Sequence, residues 1–81
     1  MSSPQDDAQN GLAQIKKAIL DFLALHPEGA SNADVAEALG LKSHFEGEHQ
    51  GYLSWSLLGL LVNDGRVRYE VQKNRRIYFR V

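Results

Sequence analysis

Leu12, Ile15, Ile19, Phe22 and Leu23 recur at three- and four-residue intervals, the period of a helix with one apolar face. Lys16, Lys17 and Asp21 fall on the other side. Asn10 stands where a cap is wanted, and Pro27 ends the pattern after Leu25-His26. His26 reads as a C-terminal helix residue that favours the dipole. Residues 1–9 are polar and carry Pro4, so they predict a disordered tail ahead of one domain over 10–81. Glu28-Gly29-Ala30 predicts a turn with room for a short strand near Ala30. Ser31-Asn32-Ala33-Asp34 then matches a capping box, Ser31 as N-cap and Asp34 three residues on. A short second helix follows from Asn32 to Leu39, burying Val35, Ala36 and Leu39, with Gly40 as its left-handed terminator. The stretch from Leu41 to Gln50 has no period and reads as a loop.

A third helix is expected from about Tyr52 to Asn63, closed by Asp64-Gly65. Its apolar residues (Leu53, Trp55, Leu57, Leu58, Leu60, Leu61 and Val62) sweep about 220° of a helical wheel. Beyond it, Val67, Tyr69 and Val71 alternate with Arg68, Glu70 and Gln72, and Ile77, Phe79 and Val81 alternate with Arg76, Tyr78 and Arg80. This is a β-hairpin. A two-residue loop at Lys73-Asn74 would set Val71 opposite Arg76. A three-residue loop, Lys73-Asn74-Arg75, pairs Val71 with Ile77, Tyr69 with Phe79 and Val67 with Val81. Facing residues share a face, so the three-residue loop is preferred. Arg68, Glu70, Gln72, Arg76, Tyr78 and Arg80 would then form the outer face.

The fold class is therefore α+β: three helices and a C-terminal hairpin of two to three strands. Its 81 residues support one thin core. The absence of cysteine excludes disulfides, thiolate metal sites and a cysteine nucleophile. No apolar run approaches a membrane span and no signal segment opens the chain, so no membrane partner and a cytoplasmic location are expected. The net charge of −1 conceals a division. Residues 1–50 carry eight acids and three bases, whereas residues 51–81 carry two acids and six bases: Arg66, Arg68, Lys73, Arg75, Arg76 and Arg80. A basic C-terminal third points to one directed anionic contact. The plain alternative is a solvated hairpin whose charges guard an edge strand.

The order of these elements resembles the winged helix-turn-helix family. The resemblance rests on Ser31-Asn32-Ala33-Asp34-Val35-Ala36-Glu37-Ala38-Leu39-Gly40-Leu41 and on Leu57-Leu58-Gly59-Leu60-Leu61-Val62-Asn63-Asp64-Gly65-Arg66-Val67, and covers residues 11–81. It implies double-stranded DNA as partner, with the third helix in the major groove and the hairpin wing on the backbone. Carried over, the recognition helix would present Gln50, Tyr52, Ser54 and Ser56. The wing would contact DNA through Arg68, Lys73, Arg75, Arg76 and Arg80. Ser31 and Asn32 would meet a phosphate at the second helix N-terminus. Two features depart from the family pattern. The loop from Leu41 to Gln50 is longer than the usual tight turn, and the third helix holds no lysine or arginine for a fork on guanine.

The function expected from this is a small transcriptional regulator or DNA-recognition module. The alternative is a protein-interaction module. For that, Trp55, Leu58 and Val62, the outlying part of the apolar arc, would form a homodimer or partner surface, if core packing does not absorb them. His44-Phe45-Glu46-Gly47-Glu48-His49 holds metal-ligand residue types, but in no closed zinc spacing. It reads as a polar loop anchored by Phe45. No metal site, no small-molecule cofactor and no catalytic constellation is expected, and the chain reads as lacking an effector domain.

Overall fold

The computed structural model describes residues 3–41 and 52–81. In chain order these form α1 (Pro4–Ala24), β1 (Ala30–Ser31), α2 (Asn32–Ala38), α3 (Tyr52–Asn63), β2 (Val67–Gln72) and β3 (Arg75–Arg80). The strands make one antiparallel sheet in the order β1-β3-β2.

Helix α1 begins six residues before the expected cap at Asn10. Ser3 is the N-cap: its Oγ accepts from Asp6 N at 3.1 Å, and Asp6 Oδ2 accepts from Ser3 N at 3.4 Å. Pro4 sits at the first helical position, where its missing N–H costs nothing and its fixed φ fits. The same device opens α2, where Ser31 Oγ accepts from Asp34 N and Asp34 Oδ2 accepts from Ser31 N, both at 3.2 Å. Two Ser-x-x-Asp segments thus start two helices, and residues 4–9 belong to α1 rather than to a tail. Helices α2 and α3 end alike. Leu41 N donates to Ala36 O at 2.8 Å and Arg66 N to Leu61 O at 3.0 Å, each one residue past a glycine. These paired terminal bonds satisfy the last carbonyls of both helices.

The core gathers Ile19, Leu20 and Leu23 from α1, Val35 from α2, Leu57, Leu58 and Leu61 from α3, and Ala30, Val67 and Tyr78 from the sheet. Burying each large aliphatic side chain here is worth about 1.5–3 kcal/mol. Helix α3 therefore faces the core along Ser54, Leu57, Leu58 and Leu61. This differs from the expected arc. Leu53 and Leu60 are exposed at 45% and 43%, and Leu58 is fully buried. The apolar arc is wider than one interface, so burial takes its middle and leaves both flanks to solvent.

The hairpin register also differs from the expected one. Tyr69 pairs with Tyr78, Val71 with Arg76 and Gln72 with Arg75. Only Lys73 and Asn74 lie in the loop, and both have positive φ, 50° and 65°. That is the backbone of a two-residue type I′ turn, whose twist matches the strands. The consequence is a change of face. Val67, Tyr69, Val71, Arg76, Tyr78 and Arg80 share the face toward the helices, while Arg68, Glu70, Gln72, Arg75, Ile77 and Phe79 share the other. Tyr78 is buried rather than outward. Strand β3 is central and is packed on both sides. The turn before β1 lies so close that a Cβ on Gly29 would stand 2.6 Å from both Ile77 Cγ2 and Phe79 Cε1. With apolar residues on both faces, matching apolar with apolar does not select the register; the turn does.

Candidate functional site

The hairpin tip carries three of the cations. Lys73, Arg75 and Arg76 are exposed within four consecutive positions. The Arg75 and Arg76 backbone positions alternate in face along the strand, yet at the tip both side chains border the same hollow beside Trp55 and Asn32. Arg76 lies over the Tyr69 ring, its Cζ 4.5 Å from the ring centroid. A hydrogen bond with Tyr78 holds its guanidinium above the ordinary arginine range, with Tyr69 and Tyr78 acting electrostatically in the same direction. The side chain is thus a cation resting on an aromatic support.

Arg68 and Arg80 are not part of this cluster. They lie at the other end of the hairpin, roughly 14 Å of strand from the tip at about 3.4 Å per residue. Arg68 is occupied there, with its Cζ 4.3 Å over the Phe79 ring and Nη1 3.2 Å from Glu70 Oε1. Glu70 Oε2 also accepts from Gln72 Nε2 at 3.3 Å. Of the five wing residues expected, the structure brings together Lys73, Arg75 and Arg76.

The residues expected on α3 divide in the same way. Tyr52 is 63% exposed and Ser56 is half-buried. Ser54 is fully buried and is excluded from reading a base. Its Oγ donates to Asn32 Oδ1 at 2.5 Å, tying α3 to the start of α2. Ser31 is likewise buried, its hydroxyl and amide both used in the cap of α2. It borders the hollow beside Asn32 and Arg75 all the same. Gln50 lies outside the described residues, as does the His44–His49 segment. Among the described residues no group of three or more acids or histidines could hold a metal ion. His26 packs its ring 4.4 Å from Phe22 and places Nδ1 3.2 Å from Glu28 Oε1.

The expected partner surface also changes. Leu58 is core, and Val62 is half-buried against the core. Trp55 alone of the three is well exposed, at 50%. It looks across a groove toward the hairpin. Trp55, Ser56 and Val62 form one wall of this groove and Tyr69, Arg76 and Tyr78 the other, around a volume of about 540 Å³. A second hollow of about 280 Å³ continues past Trp55 to Asn32, Ala33 and Arg75. Tyr69 is a site residue that the sequence reading did not single out. Its place beneath Arg76 depends on the hairpin register, and no local signal marks it.

No family model matches this sequence, and no curated protein matches it. In structure the chain is similar to S. aureus MepR, solved as a complex with DNA. The two share 20% sequence identity and superpose with a TM-score of 0.67. The match covers 95% of this chain and 63% of the MepR chain. The chain thus spans less than two thirds of that chain's length. The shared part is the fold: three helices and an antiparallel sheet ending in a hairpin, arranged as a winged helix. No helix among the described residues is long and apolar enough to cross a membrane.

Proposed function

We propose that this winged helix binds double-stranded DNA, holding the duplex backbone with the tip of its hairpin. The observation that carries this reading is the cluster of Lys73, Arg75 and Arg76 at one tip, beside the exposed face of α3. The fold it shares with MepR, which was solved on DNA, supports the same use. In this reading the cations supply most of the affinity, by displacing counterions from the backbone. The N-terminal part of α3 turns toward the major groove with Tyr52 and Ser56. Among its described residues α3 has no cationic side chain, so base discrimination is weak and affinity exceeds specificity. The role is recognition rather than catalysis, as a small transcriptional regulator or the recognition module of a larger assembly in the cytoplasm.

A salt titration of binding to a mixed-sequence duplex, read by fluorescence anisotropy, tests this. Three phosphate contacts give a plot of log K against log salt with a slope of about −3. Absence of binding at low salt removes the reading and leaves the tip charges as protection of an edge strand.

A second reading rests on a different observation. Leu53 and Leu60 lie exposed together on the flank of α3 opposite Trp55 and Val62. Covered by a second copy or a protein partner, they would make α3 an interaction surface. Sedimentation of the wild type and of Leu60→Glu separates these possibilities. A mass that is monomeric in both at high concentration rules out self-association through this flank.

A further inference from the structure

We infer that the groove between α3 and the hairpin receives an unstacked nucleobase, whose attached phosphate meets Arg75 and Arg76. This rests on the DNA-binding reading and extends it to the state of the DNA that is preferred.

Three features of the groove lead to this ligand. Two exposed rings face it, the half-exposed indole of Trp55 on one side and Tyr69, with one face under Arg76, on the other; Tyr78 lines it as a buried residue. The strip continues out of the groove, since the Tyr52 ring lies 6.1 Å from that of Trp55. The charges that line the groove and the hollow beside it are Arg75 and Arg76, with no acid among the lining residues. Finally, Arg76 already lies over the Tyr69 ring. It therefore loses little freedom on meeting a phosphate.

Aromatic walls distinguish among nucleic acids by geometry. A stacked base pair offers only its edges to a groove-bound protein, and edges call for donors and acceptors. An unstacked base offers its face, and a face is what an indole and a phenol bind, whatever the base. Alternation of exposed rings and arginines suits an unpaired base better than an intact duplex. Two sources supply such a base: a single strand, or an unpaired position within a duplex.

Four probes decide between them: a mixed-sequence duplex, the same duplex with one unpaired adenine, the same with an abasic residue in its place, and the single strand. Affinity is read by anisotropy. Emission is read from Trp55, the one tryptophan of the chain. The unpaired adenine is expected to tighten binding roughly tenfold over the perfect duplex and to quench Trp55. The abasic duplex keeps the phosphates and the bend but loses the gain. If the single strand quenches equally and binds as tightly as the adenine duplex, a strand is the source; if only the adenine duplex does so, the source is a defect in a duplex. Trp55→Ala brings the preference down to about one, while Trp55→Phe retains most of it. Equal affinity for all four probes with unchanged emission overturns the inference and leaves the phosphate grip of the hairpin standing. No binding of any probe at low salt overturns both and favours a protein partner.

Discussion

Ser54 on α3 donates to the side-chain oxygen of Asn32 at the first turn of α2, a bond of 2.5 Å between residues 22 positions apart. A serine in the first turn of an apolar helix thereby ties α3 to the start of α2. Removing it should act on the fold and not on DNA contacts. Ser54→Ala is expected to lower stability by about 1–2 kcal/mol in urea unfolding, the usual cost of a broken buried hydrogen bond. DNA affinity measured well below the melting transition should stay within about twofold of wild type. A large loss of affinity in a fully folded variant would return Ser54 to the interface.

Charge reversal at the tip is the converse experiment. Arg75 and Arg76 are exposed and lie outside the core, so Arg75→Glu with Arg76→Glu should leave the circular dichroism spectrum unchanged. Affinity for duplex DNA should fall by at least tenfold, and the salt dependence should lose about two of its three phosphate contributions. Arg68→Glu provides the contrast. Arg68 is paired with Glu70 at the far end of the hairpin, and its reversal should cost much less affinity. Equal losses from both changes would mean a contact along the whole strand.

The turn offers a test of register. Lys73 holds φ at 50° and Asn74 at 65°, and left-handed backbone costs a β-carbon-bearing residue about 1–2 kcal/mol. Asn74→Gly relieves that strain and leaves every cation in place. It should raise stability by about 0.5–1 kcal/mol with no change in the salt slope.

Glycines on α1 and before β1 should answer in opposite directions. Gly29 has a φ of 87° and packs under Ile77 and Phe79. Gly29→Ala meets both backbone strain and a steric clash, and should destabilise by about 2–4 kcal/mol. Gly11 sits within α1 with no atom in reach of an added Cβ. Gly11→Ala should stabilise by about 0.5–1 kcal/mol, the helix-propensity difference. Thermal melts of the two variants read both shifts directly.

Features whose cause is local could be read along the chain. The Ser31–Asp34 box, the glycine ends of α2 and α3, and the extent of α3 each depend on residues within one turn. Ser3–Asp6 is the same signal, and Pro4 beside it fits the first turn of a helix, where proline is tolerated, as well as it fits a tail. Faces were harder to read. Periodicity establishes that α3 is a helix, but an arc as wide as this one does not say which part meets α1 and the sheet. Leu58, expected on the outlying part of the arc, is therefore core, while Leu53 is left exposed.

The sequence by itself determined the order of the elements, the caps that start and stop the helices, and the concentration of cations in the last third of the chain. Each of these is written in spacing, chirality or charge and needs no distant partner. The tertiary structure alone decided the register of the hairpin, the burial of Ser54 and Tyr78, and the meeting of Trp55, Tyr69 and Arg76 around one groove. Those depend on β3 lying between two strands, with the helices on one face and the Gly29 turn on the other. Burial on both faces removes the alternation that would otherwise reveal which side chains point inward.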